Sequence, residues 1–445
     1  MQDSDKFDCI IVGGGVAGLS AAYVLAKANL KILLVERGDW TGAKNVSGGV
    51  LWGPTAFDIF PALLNDFSAD CPYERVITNR RLSFMSETSA TTFDFKTDNF
   101  YKKPYNGISV LRSRFDKWLG QQVEEAIAES DFAEDSLVAT GILVDRLLLE
   151  DNKVVGIGAG EDTFSSDCVI IAEGVNSLLT RAVGLQTGFV EAELVGTGIK
   201  EVWQFDQDML EAKFQLEGDK GMSNEFVGCT QGVEGGAFLY TNKDTISLGM
   251  VLGLAALREH KKAPYDLLDS FKQHPAIRPI LKHGKMVEYS AHVVPVGDIR
   301  LVPKKLYMSG AMVVGDAAGL LLNTGKAIEG MNMAMESGRQ AAYTVIDAKK
   351  RQDYSESFLK SYQERLAETF VLKDMIRFQG AVKFIHNPAM FDRYPLFVNT
   401  ILERAFTVDG KPKKKMTEIL PEIIKEQNLS YWELLSTAVK GGLNL

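Results

Sequence analysis

At 445 residues and a formal net charge of −9, the chain is too long for one hydrophobic core and predicts two or more lobes around a shared cleft. Its 46% hydrophobic and 24% charged residues argue against bulk disorder, and the acidic balance gives no electrostatic reason to expect nucleic acid. No apolar run approaches the roughly 18 residues of a spanning helix; the richest, residues 248–257, is interrupted by Gly249 and Gly253.

The first residues, MQDSDKFDCIIVGGG, lack the basic start and small-residue cleavage site of a secretory signal, so a cytoplasmic chain is expected. Phe7-Asp8-Cys9-Ile10-Ile11-Val12 is a short β-forming run of the kind buried on both faces of a parallel sheet. It enters Gly13-Gly14-Gly15-Val16-Ala17-Gly18. Residues 19–28 then read as an alanine-rich helix, and residues 31–35 as a second strand closing on Glu36. In such a βαβ unit Gly13 permits the tight turn, Gly15 lets backbone approach a pyrophosphate, and Gly18 lets helix and strand pack closely. The helix N-terminus supplies free N–H groups to the anion. Glu36, eighteen residues beyond Gly18, falls where a carboxylate accepts hydrogen bonds from adenosine ribose hydroxyls. The unit alone leaves FAD and NAD open.

Further along, Leu111-Arg112-Ser113-Arg114-Phe115-Asp116 opens a helix continuing to Ala126. Residues 146–150 and 153–158 flank Asp151-Asn152 as a hairpin, so the glycines at 156, 158 and 160 are not a second nucleotide loop. Cys168-Val169-Ile170-Ile171-Ala172-Glu173-Gly174 is a strand running into a turn. Residues 186–299 alternate apolar and polar, as in Phe238-Leu239-Tyr240, and predict a mostly antiparallel sheet lobe. Met312-Val313-Val314-Gly315-Asp316-Ala317-Ala318-Gly319 ends a strand in Gly-Asp and small residues, suited to close approach of a ligand. Thr324 to Asn332 then leads into a helix with Ala334, Gly338, Ala341 and Ala342 on it. Residues 349–445 read as mainly helical. Its aromatic stretch (Phe391, Tyr394, Leu396, Phe397, Leu402) precedes Lys411, Lys413, Lys414 and Lys415, a pairing suited to an anionic membrane surface. The cysteines, Cys9, Cys71, Cys168 and Cys229, have no metal-ligand spacing, so no metal site is expected.

These motifs together resemble the FixC-type flavoproteins, relatives of electron-transfer-flavoprotein:quinone oxidoreductase and, more distantly, of the geranylgeranyl reductases. The likeness spans nearly the whole chain and is carried by the 44–49 stretch (Lys-Asn-Val-Ser-Gly-Gly), residues 236–243, residues 289–295 and, above all, residues 315–333. It implies an α/β fold: a Rossmann-like FAD-binding domain of the glutathione-reductase type, an antiparallel-sheet substrate lobe and a helical C-terminal region. The expected FAD domain comprises residues 1–80, 106–185 and 300–348; the lobe, 81–105 and 186–299; the helical region, 349–445. Glu173 stands where the related loop carries aspartate, and Asp316 matches the aspartate that meets the ribityl chain. The implied cofactor contacts are Gly13, Gly15, Val16, Ala17, Gly18, Glu36, Arg37, Gly48, Gly49, Arg112, Arg114, Val144, Ala172, Glu173, Gly174, Gly315, Asp316, Gly330, Met331 and Asn332.

The resemblance further implies electron uptake from a two-subunit electron transfer flavoprotein and delivery to a quinone. The fused members carry a C-terminal cysteine cluster motif, whereas this chain has no cysteine after Cys229, which places the iron–sulfur centre on a separate ferredoxin-like subunit. His292 and Tyr240 are the candidate proton-handling residues on the quinone side. Two other functions stay open at this stage: an NAD(P)H-dependent flavin reductase or monooxygenase acting on a small or isoprenoid substrate, and an FAD-binding scaffold subunit of a redox complex.

Overall fold

The computed structural model describes residues 6–45, 48–65, 71–186 and 191–444. Val46 and Ser47 of the 44–49 stretch, and residues 1–5, 66–70, 187–190 and 445 of the expected domains, lie outside them.

The strand Phe7–Val12 lies in the middle of a sheet, between Ile32–Val35 and Asp162–Ile171, and is parallel to both. Leu137–Ala139 adds in parallel on one side and Ala311–Val313 on the other, with the short Tyr307–Met308 pairing antiparallel beyond it. Cys9, Ile10 and Ile11 are fully buried in this arrangement, which is why the strand reads as continuously apolar. The helix Val16–Lys27 packs on the long helix Met331–Arg351. A Cβ on Gly338 would lie 2.1 Å from the carbonyl oxygen of Ala17, so the small residues of the second helix are what let the two backbones meet. Arg146–Glu150 and Lys153–Ala159 form the expected hairpin, with Asp151 and Asn152 both at positive φ, as a tight two-residue turn requires.

A second sheet, of nine strands among the described residues, covers the cleft. Apart from one parallel pair, Arg75–Met85 with Lys220–Val227, its strands pair antiparallel. Because side chains alternate between faces, Ile199, Leu239, Leu248 and Met250 all fall on one side, in a core with Phe214 and Phe271 from two helices. The other face carries the site. Arg75 pins this lobe: 1% exposed, it donates to the carbonyls of Gly218, Lys220, Asn242 and Lys243 and pairs with Glu211.

The lobes are more interleaved than the sequence divisions. Strand Arg75–Met85 runs through the expected boundary at residue 80, and Gly49–Trp52 and Gly107–Val110, assigned by sequence to the FAD segments, hydrogen-bond into the second sheet. The C-terminal region is helical but divided. Leu359, Tyr362, Leu366 and Val371 join the first core, while Ala389, Tyr394, Ile424 and Leu429 form a small cluster of their own. No described helix is long and apolar enough to cross a membrane.

Candidate functional site

The glycine loop sits between the first strand and its helix, as the fingerprint predicts. Gly13 has φ +112°, and a Cβ there would lie 2.3 Å from the carbonyl oxygen of Ala172, so this glycine joins the first strand to the end of Asp162–Ile171. A Cβ on Gly18 would meet the carbonyl oxygen of Gly13 at 2.0 Å. Gly15 differs from both. Among the described residues beyond its chain neighbours, the nearest to its Cβ position are the Arg112 guanidinium at 3.8 Å and the Asn45 amide at 3.9 Å, which leaves a cradle beside the helix N-terminus formed by Val16 and Ala17. Glu36, 8% exposed, accepts hydrogen bonds from the backbone N–H groups of Gly14 and Gly38 at 2.7 and 2.6 Å. Its carboxylate is thereby held at the edge of the loop, where its remaining acceptor capacity suits ribose hydroxyls. Arg37 beside it is exposed, and Val144 is buried behind the 141–142 segment that hydrogen-bonds residues 36 and 38.

Arg112 and Arg114 part company. Two residues along a helix turn the side chain by about 200°, and only Arg112 faces the glycine loop. It forms a two-point ion pair with the fully buried Asp116, at 2.8 and 2.6 Å, which also accepts from Asn45. Arg114 is 56% exposed and pairs with Glu74 at 3.0 Å, away from Arg112. Glu173 likewise turns out of the cleft: its carboxylate accepts from the N–H groups of Leu179 and Thr180 and the Thr180 hydroxyl, tying down the short helix Leu178–Ala182. Ala172 and Gly174 flank it; the space beside Gly174 is open.

Asp316 follows Gly315 in a short 3₁₀ turn held by a hydrogen bond from Gly315 N–H to Ser337. No described residue donates a hydrogen bond to its carboxylate, and burial raises its pKa against the opposing charge of Arg112. A half-buried carboxylate facing a cleft with no described donor fits the hydroxyl-rich chain of a flavin cofactor. The N-terminus of Met331–Arg351, with Gly330, Met331 and Asn332, approaches from the far side; Met331 reaches within 3.1 Å of the Gly49 Cβ position, and the Asn332 amide is held by Glu329.

Beyond Gly48 and Gly49 the cleft opens into a mainly apolar cavity of about 350 Å³ walled by Trp52, Phe226, Phe238, Ile328 and Phe391, with Glu225, Glu234, Tyr240, Lys326 and His386 among its polar groups. The sheet register explains the room. Gly198, Gly249, Ser247 and Ser290 all project on this face, next to Lys200, Tyr240 and His292. Of the two residues named from sequence, Tyr240 lines the cavity, whereas His292 is exposed and not among its lining residues; Lys200 was not named. This lysine is 5% exposed and donates to the Gly48 carbonyl at 2.7 Å and the Tyr240 hydroxyl at 3.0 Å. The only signal in the sequence was a lysine, followed by Glu201, in a strand otherwise rich in glycine and β-branched residues.

At the cavity's C-terminal wall, His386 hydrogen-bonds Glu234 at 2.8 Å, which raises the histidine's pKa. A folded-state pKa above the unfolded value of about 6.5 gives stability that is complete below that value and lost as pH rises through the folded pKa. The thermal midpoint is therefore expected to fall between pH 6 and about 8 more steeply in the native protein than in Glu234→Gln. Parallel slopes in the two would show that the pair contributes nothing.

Three family descriptions match the chain: "FAD dependent oxidoreductase" over residues 8–96, "ETF-QO, ubiquinone-binding" over 195–294, and "ETF-QO/FixC family C-terminal domain" over 381–444. Among curated proteins, the chain is 41% identical to a probable electron transfer flavoprotein-quinone oxidoreductase, YdiS, of Escherichia coli K12, over 100% of both chains. It is 40% identical to protein FixC of the same organism, over 99% of both, and 34% identical to FixC of Rhizobium meliloti, over 98% of both. Among solved structures, a geranylgeranyl bacteriochlorophyll reductase-like protein of Thermoplasma acidophilum superposes with a TM-score of 0.71 at 21% identity, covering 98% of this chain and 99% of the other.

Proposed function

The chain belongs to the ETF-QO/FixC family of FAD-dependent oxidoreductases linked to electron transfer and quinone, and from that premise we propose that it takes electrons from an electron transfer flavoprotein and passes them to a quinone bound in the cavity. The observation that carries this reading is the cavity itself: an apolar, aromatic-walled space of about 350 Å³ beginning at Gly48 and Gly49, which suits a flat ring bearing two carbonyls. FAD, when bound, supplies the capacity to accept and release the electrons. The protein's residues do the rest. Gly15 and the first helix N-terminus hold the pyrophosphate, Glu36 the ribose, and Asp316 the ribityl chain, with Arg112 providing positive charge nearby. The N-terminus of Met331–Arg351, at Gly330 to Asn332, favours negative charge at the ring's edge and so raises the cofactor's reduction potential.

The iron–sulfur centre belongs in this scheme to a separate ferredoxin-like subunit, since the four cysteines lack cluster spacing. We place the protein in the cytoplasm, resting on the inner face of the cell membrane. Phe406, Val408 and Trp432, each more than three-quarters exposed, near the lysines at 411–415, support that contact. The test is the anaerobic visible spectrum of the purified holoprotein, with and without the ferredoxin-like subunit. Bleaching by a reduced electron transfer flavoprotein, reversed by ubiquinone-1, is the expected result; rapid bleaching by NAD(P)H alone would overturn the relay.

A further inference from the structure

Electron delivery alone gives Lys200 no task, yet the fold goes to some length to bury it. Its cross-strand neighbours are Gly249 and Ser290, so the long side chain has room to lie across the sheet face. Its ammonium carries three donors and meets two described acceptors, the Gly48 carbonyl and the Tyr240 hydroxyl. Tyr240 in turn lines the cavity, with its ring stacked on Phe238 at 5.9 Å between centroids. A continuous path therefore runs from the Lys200 ammonium through one hydroxyl into the apolar space.

We propose that Lys200 supplies the proton needed for quinone reduction, passing it through the Tyr240 hydroxyl to a carbonyl oxygen of the bound quinone. This rests on the quinone reading of the cavity. Two electrons and one proton leave the reduced flavin, and the second proton comes from this pair, so that quinone becomes quinol and FAD is returned oxidised. As the quinone O–H bond forms, the Tyr240 O–H bond breaks; the phenolate oxygen takes a proton from Lys200, whose amine is then recharged from water. Lys200 acts through Tyr240 and is a positioning and proton-storing residue, while Tyr240 touches the acceptor.

The surroundings suit this cycle. Burial lowers the lysine to about 7, with Glu288 opposing and Arg112 reinforcing. Burial also holds the Tyr240 phenol protonated, and partial burial, Lys200 and Arg112 together lower the pKa of His292. The charged and titratable groups around the ammonium are thus Glu288 and His292 on the edge strand, Arg112 with Asp316 behind it, and Tyr240.

Dithionite-reduced holoprotein is mixed anaerobically with ubiquinone-1 in a stopped-flow instrument between pH 5.5 and 9, and the oxidised FAD spectrum is titrated separately without quinone. In the native protein the reoxidation rate should fall as pH rises through about 7, and the flavin band should shift with the same inflection as the nearby charge disappears. Lys200→Met should lose both inflections and reoxidise about 10²-fold more slowly at pH 6. Lys200→Arg keeps the charge but releases no proton, so it should bind FAD normally and remain slow. Tyr240→Phe should be slow while keeping the spectral inflection. A native rate inflection that survives in Lys200→Met, or the absence of a spectral inflection in the native protein, overturns the inference and leaves the relay standing. Failure of ubiquinone-1 to reoxidise the native protein at any pH overturns both.

Discussion

Gly15→Ala is expected to purify folded and colourless. Gly15 has φ −86° and ψ 179°, a conformation alanine adopts freely, and among the described residues beyond its chain neighbours the nearest atom to the new methyl carbon is the Arg112 guanidinium at 3.8 Å. The methyl group therefore enters the space proposed for the pyrophosphate. Apoprotein stability should be nearly unchanged, with a thermal midpoint within about 2 °C of the native apoprotein. FAD affinity should fall roughly 100-fold, about 2.8 kcal/mol. Gly13→Ala separates the two roles of the loop. There φ is +112° and the methyl carbon would sit 2.3 Å from the Ala172 carbonyl oxygen, so folding itself should suffer by roughly 2–5 kcal/mol. Calorimetry on the two apoproteins, paired with FAD titration, checks the contrast. Normal FAD binding by Gly15→Ala would mean that the pyrophosphate lies elsewhere.

Arg112→Ala should be the most damaging single truncation in the cleft. Asp116 is wholly buried, and removing the guanidinium leaves its carboxylate with the Asn45 amide as its remaining described side-chain donor. Breaking a buried pair from one side costs about 3–5 kcal/mol, because the other charge stays desolvated. The double variant Arg112→Ala with Asp116→Asn should recover much of that loss, since the uncompensated charge is gone. It should not recover FAD binding if Arg112 also faces the cofactor. Arg114→Ala, altering a half-exposed group paired with Glu74, should retain FAD. Denaturant titration of the apoproteins decides the matter: an Arg112→Ala apoprotein as stable as the native one would refute the account of the pair.

The local chemistry of the cofactor site was legible in the residues themselves. A glycine that must adopt positive φ, a strand apolar on both faces, an Asp-Asn turn joining a hairpin and a Gly-Asp after a strand all depend on contacts within a few residues, and short-range sterics write them directly into the chain. What only the tertiary structure decided depends on phase and register. Arg112 and Arg114 are equivalent as letters, and the helix separates them by turning one toward the loop and the other away. Glu173 reads as a cleft residue until the helix that follows folds back and takes its carboxylate. Lys200 becomes a buried neighbour of Tyr240 and Gly48 because its strand pairs with Thr245–Gly253 so as to set it opposite Gly249. A shift of one residue in that register would send every side chain of the strand to the opposite face. No local pattern specifies such a pairing; it is selected by the whole apolar face of Ile199, Leu248 and Met250 finding its core, and the polar face that remains becomes the site.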